Sequence, residues 1–467
     1  MRRNKAEGET VSVITIPLKL RPYEADTLDS RFRVCCSIYN AMLGGRLKAY
    51  EEMCQIPEYA EAKAITDAVL KNDGTPMETR YAKELRDTGK FKKALAAQAP
   101  YHKEYGFSEF SFMSMIASYR NHFKDIIPSM MAALSIAKPM WSAFDKLLYK
   151  EGKNCSFKKA RDFSSIATDG KSGMRIVDDK GATIKTLEPG GKYWISMTSN
   201  KGRQLLIAVK PDEKDHYIMD MMNRDIKIVR IVRKRIKERF AYSLQLTLSG
   251  APAVKYNSNG DPVHPIGKGR ISIFADEQYF TIADEKGNIT EMDISFPESS
   301  EYIEKKKELQ QKMDESKRIS NPQNVNPDGT FMRRKDNSGK RLKWTFSKSY
   351  RHYASEKANL DRKQAESRVI RASIIANNIL AMGDDFSVND RSFKTNVGGK
   401  KYKDSIANNA PYQILDILNR KLKSAGLGGL HKYKLPVDKN DKHKDGYRKK
   451  YAKKLLQVRL QDLGEAK

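Results

Sequence analysis

Acidic residues are scarce in this sequence. Its 467 residues hold 58 Asp and Glu against 87 Lys and Arg, a formal net charge of +29. Such a field attracts polyanions, because neutralising phosphates releases their counterions, and it argues against an ordinary metabolic enzyme. Cysteine is scarcer still. Cys35, Cys36, Cys54 and Cys155 are the four present, and no two form a CxxC pair. That excludes zinc ribbons and a disulfide scaffold and points to a reducing compartment. The seven His are scattered, with no HExxH. No stretch approaches the ~20 apolar residues of a membrane-spanning helix, so no membrane partner is expected. The start, MRRNKAEGETVSVITI, is basic but has no apolar core of a signal peptide. P-loop, GxGxxG, nucleophile-elbow and Ser/His/Asp arrangements are all missing.

Apolar residues make up 39%, with 22 Tyr and 17 Phe, which is enough for a folded chain. At ~100–200 residues per domain the length allows two to four domains. Residues 11–20 (VSVITIPLKL) read as a strand. Pro22 then opens a helix over 24–54, whose Leu28, Phe32, Cys35, Ile38, Tyr39, Met42, Leu43 and Leu47 keep a 3.6-residue period. Helical patterning continues to residue 150, with breaks expected at Pro128 and Pro139. It predicts a lobe of packed helices over about 24–150.

From Cys155 short strands alternate with turns, and the best pair is 226–236 with 240–248 around Lys237-Glu238-Arg239. This pattern predicts a small β-barrel over 155–250, with strand 11–20 joining it. Residues 251–269 read as a linker. A three-stranded hairpin is predicted at 270–275, 278–283 and 289–294. Next come a helix at 299–318, an irregular basic segment at 319–346 and a long helix at 347–382. That helix is expected to turn Tyr350, Tyr353, Leu360, Ile370, Ile374 and Ile379 inward. A strand at 384–390 and a helix at 410–425 precede a tail, 431–467, with twelve Lys and Arg against five Asp and Glu.

Three constellations suit a polyanion. The strand 226–237 carries Arg230 and Lys234 on one face and Arg233, Arg235 and Lys237 on the other, all candidates for phosphate contact. The segment 333–351 mixes Arg333, Arg334, Lys340, Arg341, Lys343 and Arg351 with Trp344, Phe346 and Tyr350, a composition that stacks on bases while neutralising phosphate. Tyr119, Arg120 and Asn121 present groups able to read base edges in a groove.

In their order these pieces resemble the miniature type V CRISPR effectors, the V-F group, and the related TnpB nucleases. PLKLRPYEADTLDSRFRVCCSIYNAMLGGRLKAY (17–50) resembles the family's wedge strand and first recognition helix. RDIKIVRIVRKRIKERFAYSLQLTLSG (224–250) is similar to its last wedge hairpin. The stretches 305–330, 347–369 and 405–426 resemble the helices around its first two RuvC motifs. The resemblance implies an α+β multidomain protein: a wedge β-barrel with an inserted helical recognition lobe, followed by a degenerate RNase H-like (RuvC) domain. The implied bounds are 1–23 for the wedge strand, 24–150 for the lobe, 151–265 for the barrel and 266–467 for the RuvC-like part.

An active RuvC site has three carboxylates holding two metal ions that activate water. By the resemblance the first would fall on Phe274 and the second on Asn389, within VNDRSFK (388–394), while the third is expected beyond Lys467. Asp276 and Asp390 are the nearest acids. The implied protein binds guide RNA and double-stranded target DNA without cutting and needs no cofactor for binding, with Mg²⁺ at most structural beside RNA. It would work in a bacterial cytoplasm, at the nucleoid. Dead V-F homologues further imply recruitment of an extracytoplasmic-function sigma factor and RNA polymerase, and a homodimer on one guide RNA. Promoter occlusion, and cutting through displaced acids, are the alternatives.

Overall fold

The structure is a computed structural model that describes residues 10–71, 76–124, 126–127, 130–150, 152, 154–170, 173–198, 204–237, 239–296, 299–332, 342–390, 409–438, 440–441 and 444–464. The chain forms two compact units: residues 1–234 with 240–253, and 235–239 with 254–467.

The first unit begins with strand β1 (Val11–Leu18), whose burial alternates so that Ser12, Ile14, Ile16 and Leu18 face inward. Arg21 and Glu24 form a reciprocal cap, with Arg21 N donating to Glu24 Oε2 at 2.7 Å, and Pro22 starts α1 (Pro22–Cys54). Helices α2 (Pro57–Leu70), α3 (Pro76–Asp87), α4 (Lys90–Glu104), α5 (Glu109–Asn121) and α6 (Met130–Tyr149) come after it. The break expected at Pro139 does not occur: α6 runs through it. Pro139 lies on an exposed face of the helix, where water can take the hydrogen bond that the ring removes. Phe112 packs on Phe144 at 5.2 Å and on Trp141 at 5.4 Å, so the apolar residues of 110–148 serve mainly as core. Phe110, 81% exposed, is the exception.

The chain then returns to strands β2 (Ser165–Thr168), β3 (Met174–Val177), β4 (Tyr193–Thr198) and β5 (Gln204–Val209), a short helix α7 (His216–Met221), and the hairpin β6 (Ile226–Ile236) and β7 (Arg239–Ser249). β1 pairs antiparallel with β7 along its whole length, Val11 opposite Ser249 and Leu18 opposite Tyr242. The helices are thus an insertion between β1 and β2, the two edge strands of one sheet. In place of one hydrogen-bonded barrel there are two sheets, β1-β7-β6-β2 and β3-β4-β5, whose inward side chains enter one core.

The second unit is built on a five-stranded sheet. Strands β8 (Arg270–Ala275), β9 (Tyr279–Asp284) and β10 (Ile289–Asp293) form the expected antiparallel meander. Helices α8 (Ser299–Ser320) and α9 (Lys348–Leu380) precede β11 (Asp385–Asn389), and α10 (Pro411–Ser424) precedes β12 (Leu430–Tyr433) and α11 (Tyr447–Asp462). The order is β10-β9-β8-β11-β12, with β11 parallel to both β8 and β12. β8 is buried on both faces, which explains why it is apolar from Ile271 to Ala275 but for Ser272. Ile271, Ile273 and Ala275 meet α9 and α10, while Phe274 meets α11. Gly383 sits where a Cβ would lie 2.5 Å from the Gly269 carbonyl oxygen, so the approach of the two strand starts needs glycine. Ile370 and Ile374 do not turn inward: they are 61% and 53% exposed. Ala372, Ile375, Ala376 and Ile379 take the buried face, on the opposite side of the helix.

Inside the helices of the first unit His102 is buried between two phenols. Its Nε2 lies 3.1 Å from Tyr59 Oη and its Nδ1 2.8 Å from Tyr149 Oη. Burial pulls its pKa down to about 4. Below pH ~6.5 the unfolded chain takes up a proton that the folded one refuses until about pH 4. Stability present above pH 6.5 is therefore lost as the pH falls to 4, by about 3 kcal/mol. Urea unfolding at pH 7, 5.5 and 4 should show this slope, and the slope should flatten in His102→Phe.

Candidate nucleic-acid interface

β6 alternates as its sequence suggests, but the inward face takes a cation with it. Arg230 and Lys234 are exposed, whereas Arg233 is only 3% exposed. Its Nε donates to Phe163 O at 2.9 Å, Nη1 pairs with Asp29, and Nη2 donates to Ala160 O. Phe32 and Phe240 cover its guanidinium plane at 4.3 Å each. Arg233 is therefore not a phosphate contact. It is structural, because a buried guanidinium is stable only with its donors and its faces occupied. Arg235 donates to the Lys237 carbonyl at 2.9 Å, and the Lys237 ammonium lies 3.8 Å from Glu356. Of this strand's cations, Arg230 and Lys234 stand on the solvent face.

The groove-reading trio is split. Asn121 is exposed at the end of α5, while Tyr119 packs partly against the core. Arg120 is half-buried, with Nη1 4.0 Å from Met130 Sδ and Nε unpartnered.

In the basic aromatic segment Arg333, Arg334, Lys340 and Arg341 lie outside the described residues. From Lys343 to Thr345 the backbone is clamped. The Asn321 side chain accepts from Thr345 N at 2.6 Å and donates to Thr345 O at 2.7 Å, and Asn324 donates to Lys343 O at 2.7 Å. Trp344 is turned to this clamp: Lys317 Nζ sits 3.7 Å over its ring, and Phe331 meets it edge-on at 5.6 Å. Lys317 thus occupies one face of the ring within the protein. Phe346 and Tyr350 instead stack on each other at 4.5 Å, with Phe346 37% exposed and Lys343, Lys348 and Arg351 around them at the surface. Ser347 caps the helix below, accepting from Tyr350 N at 3.0 Å. Lys317, Asn321 and Asn324 were missed by sequence reasoning. Asn321-Pro322 signalled a break in the chain, not a residue holding the next strand of backbone.

The two positions expected to carry carboxylates meet on adjacent parallel strands. Asn389 is 7% exposed, its Oδ1 accepting from Ala275 N at 2.7 Å and its Nδ2 donating to Ala275 O at 3.2 Å. Phe274, next to Ala275, is 2% exposed beneath Tyr451 and Tyr447 of α11, at ring distances of 5.7 and 6.2 Å. Asp276 is buried too, and accepts from Tyr447 Oη at 2.8 Å and from Arg448 Nε at 3.3 Å. Burial, and then the Asp276 charge, push the Tyr447 phenol up to about 12. Asp390 is exposed at the end of β11. These residues do not fit a two-metal centre: one place holds a ring, one an amide, and the acid nearby is already paired. Among the described residues no group of three or more His, Cys, Asp and Glu is gathered to hold a metal ion, and no helix is long and apolar enough to cross a membrane. α11 hides Tyr451, Ala452, Leu455 and Leu456 against the sheet and leaves Lys449, Lys453 and Lys454 outside.

No protein-family model matches the chain, and no curated protein matches it. Solved structures similar to it include a chain of a Cas12f1–sgRNA–target DNA complex, 12% identical, covering 95% of this chain and 94% of that one with a TM-score of 0.43. A CRISPR-Cas12f ternary complex is 13% identical over 94% of each chain, TM-score 0.25. A Cas12i1 R-loop complex before target DNA cleavage is 9% identical over 84% of this chain and 56% of that one, TM-score 0.29.

Two substitutions separate the roles on β6. Arg233→Ala should cost about 3 kcal/mol by leaving the Ala160 and Phe163 carbonyls unpaired and Asp29 with Arg33 alone, seen as a lower urea midpoint. Arg230→Ala should leave that midpoint unchanged and lower the salt slope of RNA binding by about 1. In the second unit Phe346→Ala should weaken single-stranded RNA binding about tenfold, while Trp344→Ala should act first on stability. Filter binding beside thermal melts reads both.

Proposed function

We propose that this chain is a guide-RNA-directed DNA-binding protein without nuclease activity. The observation that carries this reading is the adjacency of Phe274 and Asn389, each one position beyond the Ile273–Val388 pair. Two residues remote in sequence, singled out only by the resemblance to RuvC motifs, lie side by side on neighbouring parallel strands. That adjacency is what a RuvC-like site requires of its first two carboxylates, and neither residue is acidic. A phenyl ring under two tyrosines leaves no room for water-coordinated cations, and Asn389 spends its amide on backbone. On this reading the first unit is the wedge with its inserted recognition lobe, and the second is a degenerate RuvC-like domain. The +29 charge supplies the affinity: it holds the guide RNA and the heteroduplex by shape and backbone, and base pairing chooses the target.

Binding without cutting has its use in transcription control. We place it in recruitment of an extracytoplasmic-function sigma factor and RNA polymerase, with promoter occlusion as the second reading. Three measurements test the proposal. RNA co-purified with the chain should share one scaffold with variable spacers. A matched duplex should then be bound, and plasmid should stay uncut with Mg²⁺. Cutting that disappears in Asp276→Ala would overturn the loss of nuclease activity. A promoter reporter should rise with a matched guide, whereas a fall would favour occlusion and no change would exclude both.

A further inference from the structure

The first unit contains a second buried arginine, and its surroundings are the opposite of those of Arg233. Arg31, on α1, is 7% exposed. It lines a small pocket with about 30 Å³ of enclosed space, whose other walls are almost wholly apolar. Leu28, Phe32, Ile127, Met174, Met197 and Ile231 are among those walls. The Nε and Nη2 atoms of Arg31 are buried and have no hydrogen-bond partner. These two atoms form one edge of the guanidinium, with parallel N–H groups that match the two oxygens of a carboxylate. Burial alone pulls the Arg31 pKa down to about 10, a sign that no acid compensates the charge. Natural structures rarely leave a buried guanidinium in this state, because its desolvation is then unrepaid. An apolar cavity with one converging charged group is also the usual form of a small-ligand site.

We propose that this pocket binds a carboxylate no larger than about acetate, the carboxylate on the Nε–Nη2 edge of Arg31 and the methyl group against the apolar walls. The site is independent of nucleic acid and of the sheet of the second unit. A nucleobase fits it poorly, because the walls offer no partners for ring nitrogens and carbonyls.

The test is calorimetric titration of the full chain, freed of nucleic acid, with the n-alkanoates from acetate to octanoate and with the matching n-alkanols. Affinity should be highest for acetate and fall as the chain outgrows the pocket, and each alkanoate that binds should do so at least ~10-fold tighter than its alkanol, the worth of charge-assisted hydrogen bonds. Arg31→Met should abolish that preference without lowering the melting temperature of the ligand-free chain, because it removes an uncompensated charge. Arg31→Lys keeps the charge without the fork and should reduce the preference; it covers the case in which the methionine variant does not fold. Equal affinity for alkanoate and alkanol, no binding of any alkanoate, or a preference that survives both substitutions would each overturn the proposal. A clear drop in melting temperature for Arg31→Met would also overturn it, by showing that Arg31 is structural.

Discussion

The first unit hangs on one buried guanidinium. Arg233 ties β6 to Asp29 and Phe32 of α1, to the Ala160 and Phe163 carbonyls that precede β2, and to Phe240 of β7. Four separated pieces of chain thereby share one charge. None of them could release it cheaply, since each partner lost would leave a buried cation short of a contact in a medium that solvates it poorly. The long insertion between β1 and the later strands stays in register with the sheet because α1 is held at this point as well as by its apolar face.

The second unit depends on a different constraint. β8 is covered on both faces, so every residue it places on the α11 side must suit a dry contact. Ser272 does so by donating to the Ala452 carbonyl at 2.7 Å, Phe274 by packing on two tyrosines, and Asp276 by pairing with Arg448 and Tyr447. A pair of free carboxylates on that face would be incompatible with α11 lying across it. The same helix turns a row of lysines outward.

Much of the organisation was legible in single elements. The meander of β8, β9 and β10 followed from alternating patterning around Asp284-Glu285-Lys286-Gly287, and α1 from an apolar stripe behind Pro22. Misreadings came where local pattern met tertiary demand. Pro139 looked like a break but lies on an exposed face. Ile370 and Ile374 looked like core, yet the smaller Ala372 and Ala376 face the sheet.

The charge and the order of strands and helices could be read from composition and short-range periodicity, while the two expected carboxylate positions came from the resemblance to RuvC motifs. Which cations remain on the surface depended on packing. Arg230 and Arg233 differ by three positions on one strand, and period-two alternation sends one to solvent and one to the core, but no periodicity says which face will be buried. That choice belongs to the packing of α1 on the sheet. It also set apart Arg31 from Arg233, two buried arginines of which one is fully partnered and the other faces a cavity.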